Sequence, residues 1–245
     1  YLLYLEQPYQ RYVYFFNFWQ FWYIWYNNFI MSETQELELN LYCEPFPYMV
    51  INNFYNQEEL ELIWEELKYY TKPNKLLTAE NYGGVVGFTN AKAICLDDVY
   101  VDMGDKTLRN LSNILTVNRK LFYSGVLDKY AEVHGCTSIA NQSNHDITKV
   151  RYYHNDEYYD PHTDKSVQFL GFSYFYKEPK KFEGGDLEFP QHDLVLPCVN
   201  NSMIVFPGWV EHGVKKVKIS NSDYFDGWGR YAITSFFGYR HKAKN

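Results

Sequence analysis

The chain has 245 residues, 46% of them apolar and 22% charged, with a formal net charge of −7 at pH 7. This length suits one buried core rather than two full enzyme domains, and the negative charge disfavours nucleic acid as a partner. Aromatic residues make up 20% of the chain, which is typical of packed β-strands rather than helical bundles.

Residues 1–30 form an aromatic-rich extension whose status stays open. The uncharged run 12–31 is long enough to span a bilayer, but its apolarity comes from Tyr, Trp and Phe rather than Leu, Ile and Val. It also lacks the basic start and cleavage site of a signal peptide. We consider both a mis-called upstream extension and a membrane anchor, and we expect a membrane partner only if the anchor is genuine. Residues 31–245 are then one domain.

The first regular elements are predicted at residues 47–67. Residues 47–54 have the pattern of a short strand, and Asn56 with Glu59 forms a capping-box-like helix start. The following residues place one apolar stripe on the predicted helix at three-and-four spacing. That stripe consists of Leu60, Ile63, Trp64 and Leu67.

A loop and a second helix are predicted next. Residues 71–94 contain Pro73 and three glycines, which favours a loop or irregular hairpin of the kind that covers sites. A helical pattern runs from about 105 to 122, with Asp105 as its cap. Its apolar positions are Leu108, Leu111, Leu115 and Phe122. Residues 47–125 therefore provide helices packed on one face of a sheet.

From residue 147 to about 240 the pattern becomes all-β. Short runs rich in Val, Ile, Phe and Tyr alternate with polar and Gly/Pro breaks. The predicted strands are 166–176, 186–189, 193–196, 202–206 and 230–238. Their spacing, without intervening helices, predicts a mainly β fold with flanking helices: an antiparallel jelly roll or barrel rather than a doubly wound parallel sheet.

The four cysteines are far apart and form no CxxC pair, so neither a zinc ribbon nor a disulfide framework is indicated. They are Cys43, Cys95, Cys136 and Cys198. Reduced thiols in a cytoplasmic protein are the expectation.

Two His-x-Asp triplets are candidates for metal binding, His154-Asn-Asp156 and His162-Thr-Asp164. In a strand, residues i and i+2 point to the same side, so an imidazole and a carboxylate reach one ion. His212, at the end of a strand-like run, is the candidate third ligand. Two histidines and one carboxylate suit non-haem Fe(II) in oxygenases, because they leave positions open for oxygen and a co-substrate. The residues alone leave the choice of triplet open.

A cation for a dicarboxylate co-substrate is predicted at Arg230. This residue opens the strand 230–238, where a guanidinium can pair with a carboxylate in a narrow apolar pocket. Taken alone, an arginine at a strand start is more often a solvated edge charge. Its occurrence together with the His-x-Asp and His212 pattern favours the binding role.

Four motifs in order give the chain a resemblance to a known family. They are residues 150–164, 182–190, 205–214 and 230–234. Together they resemble the prolyl 4-hydroxylase-like branch of the 2-oxoglutarate/Fe(II) oxygenases, over about residues 147–238. The resemblance implies a double-stranded β-helix, cupin-like in shape, and it selects His162 and Asp164, which with His212 would hold the iron.

The same resemblance implies roles in co-substrate binding. Arg230 would pair with 2-oxoglutarate, and Tyr153, nine residues before His162, would hydrogen-bond it. Many relatives have Ser where this chain has Ala232, so Thr234 is expected to supply the missing hydroxyl.

One departure leaves the anchor open. Arg230 follows His212 by a longer interval than usual, with residues 218–229 apparently inserted as a polar loop. Three lysines closer to His212 are therefore alternative anchors. They are Lys215, Lys216 and Lys218.

The implied activity is that of a dioxygenase that requires Fe(II), 2-oxoglutarate and O2, with ascorbate as an optional further cofactor. It would hydroxylate an unactivated C–H bond, that of a prolyl or other amino-acid residue in a protein or peptide or of a small amino-acid-like molecule, and release succinate and CO2. The loops 71–94 and 218–229 are the expected substrate contacts. Two alternatives stay open: a non-redox metal-binding jelly-roll binding protein, and a zinc or manganese isomerase or hydrolase on the same ligands.

Overall fold

The computed structural model describes residues 37–82, 84, 86–100, 108–220 and 223–239. The expectations for residues 1–30 and for Asp105 as a helix cap lie outside these residues. None of the described helices is long and apolar enough to cross a membrane.

Thirteen strands are found in the described part of the chain. They are β1 Glu38–Tyr42, β2 Tyr48–Asn52, β3 Lys92–Cys95, β4 His145–Tyr153, β5 Tyr159–His162, β6 Phe169–Phe175, β7 Phe182–Glu183, β8 Leu187–Phe189, β9 Leu194–Leu196, β10 Met203–Pro207, β11 His212–Val214, β12 Lys218–Ile219 and β13 Arg230–Gly238. The α-helices are α1 Gln57–Tyr70, α2 Ala79–Tyr82, α3 Leu96–Val99, α4 Asn113–Asn118, α5 Lys120–Tyr123 and α6 Val126–Ala131.

The strands form two facing sheets and a small additional pair. The larger sheet has the order β1-β2-β10-β6-β13-β4-β3, the smaller has β5-β11-β8-β9, and β12 pairs with β7. All of these pairs are antiparallel. The architecture is a double-stranded β-helix, which confirms the predicted fold class, and the predicted strands after residue 147 match β6, β8, β9, β10 and β13 closely.

Two apolar cores lie on opposite faces of the larger sheet. One core joins that face to the helices and contains Ile63 and Leu67 of α1. The other core contains Tyr153, Phe172, Tyr174 and Phe206 of the larger sheet together with residues of the smaller sheet. Because strand residues alternate between faces, this second face is the one on which functional side chains can meet between the sheets.

The first helix is as predicted. The Asn56 side chain accepts a hydrogen bond from the Glu59 backbone N–H, and the Glu59 carboxylate accepts one from the Asn56 N–H. These contacts satisfy two donors that a helix start would otherwise leave unpaired. The helix then packs its apolar stripe against the larger sheet.

The predicted helix over 105–122 is wrong as one continuous element. Residues Leu108–Leu111 form a 3-10 turn, and a new helix, α4, starts after Ser112. The Ser112 hydroxyl caps α4 through the Leu115 N–H and donates to the Glu66 carboxylate of α1. This tertiary contact breaks the helix, and it leaves Leu111, predicted as a core position, 69% exposed.

The two predicted loops also carry regular structure. Residues 71–94 include α2 and part of β3, and residues 218–229 include β12 and a 3-10 turn at Tyr224–Asp226. The inserted segment therefore adds a strand to β7 at the rim of the fold rather than forming only a polar loop. All four cysteines are free thiols.

Candidate active site

Three side chains that are distant in sequence converge between the sheets. The Nε2 atom of His212 lies 3.6 Å from Oδ2 of Asp164, and the Nε2 atom of His162 lies 4.0 Å from the same oxygen. One ligand atom from each residue lies within 4.8 Å of the other two. The predicted triplet His162-Thr-Asp164 and the predicted third residue are therefore brought together.

The smaller sheet creates this arrangement. His212 at the start of β11 is the direct partner of His162 at the end of β5, so the two rings lie side by side with their centroids 4.5 Å apart. Asp164 lies just beyond the strand rather than within it, and its N–H donates to the Gly208 carbonyl at 2.8 Å. A side chain added at Gly208 would meet the Asp164 carbonyl at 2.7 Å, so the close approach requires glycine.

Hydrogen bonds orient both rings towards the carboxylate. The Nδ1 atom of His162 lies 2.9 Å from the Asp160 carbonyl, and that of His212 lies 2.9 Å from the Val210 carbonyl. A carbonyl only accepts, so each Nδ1 carries the proton and each Nε2 presents a lone pair. Burial lowers the pKa of His162 and, with the neighbouring His162 ring, lowers the pKa of His212 to about 3. Both rings are therefore neutral at pH 7, as a metal ion requires.

The other triplet does not form a cluster of this kind. The His154 ring packs against Tyr152 and Tyr224. The Asp156 carboxylate is half exposed and pairs with Lys218. Neither residue belongs to the metal-binding group found among the described residues, and the choice of the second triplet by family resemblance agrees with the structure.

Arg230 lies inside the fold rather than at a solvated edge. It is 0% exposed, and its guanidinium carbon lies 4.7 Å from the ring centroids of both Tyr153 and Tyr174. All three guanidinium nitrogens lack a hydrogen-bond partner in the described residues, and so do both tyrosine hydroxyls. Burial raises the pKa of both hydroxyls, so they keep their protons and can donate.

Gly185, just before β8, makes room for this arginine. Gly185 has φ +75°, and a Cβ there would lie 2.7 Å from Arg230 Cδ. Glycine is thus needed for the turn and also for the passage of the arginine side chain, a second role that the sequence did not indicate.

The alternative lysines do not reach this site. Lys215, Lys216 and Lys218 are all exposed. The Lys216 ammonium lies over the Tyr158 ring, and Lys218 pairs with Asp156. Among the predicted anchors, only Arg230 lies between the sheets.

Thr234 is buried on the inward face of β13, and its hydroxyl accepts a hydrogen bond from Arg151 Nη1 at 3.2 Å. Arg151 and Tyr174 were not singled out from the sequence. Strand alternation could have indicated Arg151, because it lies two residues before Tyr153 and so shares its face of β4.

The metal-binding cluster and Arg230 both contact side chains of one strand, β6. The centroid of the Phe172 ring of β6 lies 5.9 Å from that of the His212 ring. Tyr174 lies two residues further along the same face of β6, and its ring contacts the Arg230 guanidinium. Two strand residues span about 7 Å. A small dicarboxylate is of the right length to reach from the triad to the guanidinium.

The residues present fit an Fe(II) ion with a dianionic co-substrate. The His212 Nε2 atom is buried without a hydrogen-bond partner among the described residues, which is unfavourable unless an ion uses its lone pair. Two imidazoles and one carboxylate are the donor set of non-haem Fe(II) sites with open positions. Arg230 offers unpaired donors for a carboxylate.

Comparison with known proteins agrees with this geometry. Residues 148–238 match the family model described as the 2OG-Fe(II) oxygenase superfamily. No curated protein sequence matches the chain.

Among solved structures, a 2OG-Fe(II) oxygenase family oxidoreductase from Burkholderia pseudomallei has a TM-score of 0.51 at 16% identity, covering 78% of this chain and 84% of its own. A Pseudomonas putida prolyl-4-hydroxylase has a TM-score of 0.46 at 15% identity, covering 79% of this chain and 93% of its own. The viral collagen prolyl hydroxylase of Paramecium Bursaria Chlorella virus-1 has a TM-score of 0.46 at 13% identity, covering 80% and 97%. The first of these supports the fold.

The matched segment contains the whole cluster of His162, Asp164, His212 and Arg230, and it forms the double-stranded β-helix around them. Residues 148–238 are therefore similar to the 2OG-Fe(II) oxygenase superfamily.

Proposed function

We propose that this protein is an Fe(II)- and 2-oxoglutarate-dependent dioxygenase that hydroxylates an unactivated C–H bond of an amino-acid residue in a peptide or protein, or of a related small molecule. His162, Asp164 and His212 hold the iron in this proposal. Arg230 holds the distal carboxylate of 2-oxoglutarate, and the Tyr153 hydroxyl donates to it.

The observation that supports this proposal best is the buried Arg230. A guanidinium that is 0% exposed, with no partner for any of its nitrogens among the described residues, is unfavourable in a protein interior. A dicarboxylate bound at the triad would supply the missing anion. A metal-binding jelly roll without redox chemistry, or a zinc or manganese isomerase, has no use for this cation.

Bound iron with 2-oxoglutarate and O2 supplies the oxidation: one oxygen atom enters succinate as CO2 leaves, and the other enters the substrate C–H bond. The residues of this chain bind and orient. Asp164 supplies the negative charge of the metal site, and the carbonyls at Asp160 and Val210 hold each imidazole in the tautomer that can ligate. Arg230 fixes one end of the co-substrate.

The predicted contact of Thr234 with the co-substrate stays a prediction, and the structure gives this hydroxyl a second contact. The Thr234 hydroxyl accepts a hydrogen bond from Arg151, so we propose that it also positions that arginine. The finer substrate assignment, a prolyl or other amino-acid residue, rests on the resemblance of the four motifs.

The proposal is tested by adding Fe(II) and 2-oxoglutarate anaerobically to metal-free protein. A visible absorbance band that needs both additions is expected, followed by succinate release when oxygen is admitted. A peptide and amino-acid panel then identifies substrates through increased succinate. A protein that binds zinc tightly but develops no such band would support the isomerase or binding-protein alternative.

A further inference from the structure

Arg151 is a second buried guanidinium on the inward face of the larger sheet. It is 4% exposed, and its Nε atom has no hydrogen-bond partner among the described residues. Its Nη1 donates to the Thr234 hydroxyl, a neutral group. No carboxylate of the described chain lies within 4.0 Å of it. A buried cation of this kind is unfavourable unless an anion pairs with it.

Aromatic rings place Arg151 beside the triad. Its guanidinium carbon lies 5.2 Å from the centroid of the Tyr159 ring, and that ring stacks on His162 at 4.0 Å. Only one ring therefore separates Arg151 from the metal-binding cluster. Arg151 is also the direct strand partner of Ala232. Ala232 lies two residues after Arg230 on β13 and therefore on the same inward face. The two guanidinium groups belong to neighbouring positions of the same interior.

Lys149 and Tyr82 extend this cationic position towards the surface. Lys149 lies two residues before Arg151 on the same face of β4 and is half-buried. Its ammonium and the Arg151 guanidinium lie 5.7 Å and 5.8 Å from the Tyr82 ring centroid. The Tyr82 hydroxyl is buried and has no partner among the described residues. A guanidinium, an ammonium and a hydroxyl donor thus lie close together at the Tyr82 ring.

The positive charges of Arg151 and Lys149 have no counter-charge in the proposed iron and 2-oxoglutarate site. A divalent ion, Asp164, a dicarboxylate and Arg230 cancel one another in formal charge. The buried Arg151 is then unbalanced in a low-dielectric interior, with the half-buried Lys149 adding positive charge nearby, so a second anion would bind favourably. The co-substrate cannot supply it, because one of its carboxylates chelates the metal and the other pairs with Arg230.

We propose that Arg151, assisted by Lys149 and the Tyr82 hydroxyl, binds a carboxylate of the primary substrate, so that this oxygenase acts on substrates that carry a carboxylate. The carboxylate belongs either to an acidic side chain in a peptide or to the main chain of a free amino acid. The inference rests on the proposed function and specifies its substrate class. A bidentate guanidinium next to the metal would hold the substrate and set which C–H bond faces the iron.

The test measures binding in the protein loaded with Mn(II) and saturating 2-oxoglutarate, so that Arg230 is already occupied and no turnover occurs. One pair of probes is N-acetyl-glutamate amide and N-acetyl-glutamine amide, which differ only in the side-chain charge. The other pair is N-acetyl-alanine and N-acetyl-alanine amide, which differ only in the main-chain carboxylate. In at least one pair, the acid should bind at least tenfold more tightly than the amide by calorimetry, and the pair identifies the source of the carboxylate.

Variants assign this preference to Arg151. Arg151→Gln should remove the preference and leave the affinity for 2-oxoglutarate within about twofold. Exposed Lys215→Gln, which makes the same change in net charge, should keep the preference. The ligand-free Arg151→Gln protein should melt no lower than the wild type, because it loses an uncompensated buried charge, whereas loss of a purely structural arginine would lower the melting temperature. Lys149→Gln at the half-buried position should weaken acid binding several-fold and serves if Arg151→Gln folds poorly.

Equal binding of acid and amide in both pairs would overturn the inference. It would also be overturned if Arg151→Gln weakened 2-oxoglutarate binding as strongly as Arg230→Gln, since Arg151 would then be a co-substrate anchor. Failure of the oxygenase proposal is distinguishable: in that case Mn(II) and 2-oxoglutarate do not bind, while an acid preference that depends on Arg151 would still establish the carboxylate site.

Discussion

The Nε2 atom of His212 lies 3.6 Å from the Asp164 carboxylate, although one residue opens β11 and the other follows β5. Each of these two side chains is held in place by its own contacts with the backbone. The His212 ring is fixed by the Val210 carbonyl and by packing against Phe206, and Asp164 is fixed through the Gly208 carbonyl. A site whose ligands are held by separate backbone contacts is preorganised for a metal ion.

Asp164→Ala should abolish metal binding at this site. The variant removes the only carboxylate of the triad, and two neutral imidazoles alone are a poor site for a divalent ion. In a thermal melt, Mn(II) should raise the melting temperature of the wild type and leave that of the variant unchanged. Asp156→Ala, in the other triplet, is the matched control: it loses only an exposed pair with Lys218 and should keep the metal response. A metal response lost in the control instead would reverse the assignment of the triplets.

Arg230→Gln should weaken 2-oxoglutarate binding by about 100-fold or more. Charge-assisted hydrogen bonds to a buried carboxylate contribute roughly 1.5–3 kcal/mol each, and about 1.4 kcal/mol corresponds to a factor of ten. Because the cation has no partner among the described residues, the ligand-free variant should be as stable as the wild type or more stable. Calorimetry with the Mn(II) protein and urea unfolding measure the two effects. Lys216→Gln should change neither the affinity nor the stability. A loss of 2-oxoglutarate affinity in that variant would show that Lys216, and not Arg230, anchors the co-substrate.

The sequence was sufficient for the triad because its three members belong to motifs in a recognisable order. It was also sufficient for most strands after residue 147, since each is a short apolar run between turn residues. The direct pairing of His212 with His162 was not predictable, because it depends on the register between β11 and β5. A periodic pattern does not specify register between strands distant in the chain.

The residues that sequence reasoning missed depend on tertiary contacts. Arg151 and Tyr174 become functional candidates only when β4 and β6 are known to face the smaller sheet. Leu111 was predicted as core because the helical period continued through it, yet the Ser112 contact with Glu66 interrupts that helix. A local pattern indicates an element, whereas neighbouring elements decide where it ends.

Gly185→Ala should damage both folding and co-substrate binding. The residue has φ +75°, a conformation that costs an alanine about 1–2 kcal/mol, and the new methyl would lie 2.7 Å from the buried Arg230 Cδ. We expect a lower melting temperature and an affinity for 2-oxoglutarate reduced at least tenfold by displacement of the guanidinium. Gly238→Ala is the control, because its φ is ordinary and a Cβ there meets nothing within 4 Å. An unchanged affinity for 2-oxoglutarate in Gly185→Ala would show that the added methyl group does not displace the Arg230 guanidinium from its binding position.

Asn56→Ala should lower stability without affecting the site. The change removes the side-chain cap of α1 and should reduce the free energy of unfolding by about 1 kcal/mol. Urea unfolding measures this loss, and 2-oxoglutarate affinity should remain unchanged because α1 lies on the face of the larger sheet opposite the site. Exposed Asn110→Ala provides a comparison of the same chemistry and should leave the unfolding free energy nearly unchanged. A large affinity loss in Asn56→Ala would instead couple the helix to the active site.

The metal-free protein should lose stability as the pH falls from about 6.5, and His212 should account for much of that loss. Burial and the neighbouring His162 lower its pKa from 6.5 to about 3, so the folded state holds the ring neutral while the unfolded state binds a proton. Stability is therefore fully present above pH 6.5 and declines towards pH 3, by on the order of 3 kcal/mol at pH 4 from this residue.

Comparing wild type with His212→Gln isolates this effect. Burial also raises the pKa of Glu157 to about 7, which favours the fold at low pH, but that contribution is the same in both proteins and cancels. Urea unfolding of both metal-free proteins at pH 7 and pH 4 should show the smaller decline in His212→Gln. Equal declines would mean that the His212 ring takes up its proton in the folded state near its ordinary pKa, and the buried neutral imidazole inferred for metal binding would then be wrong.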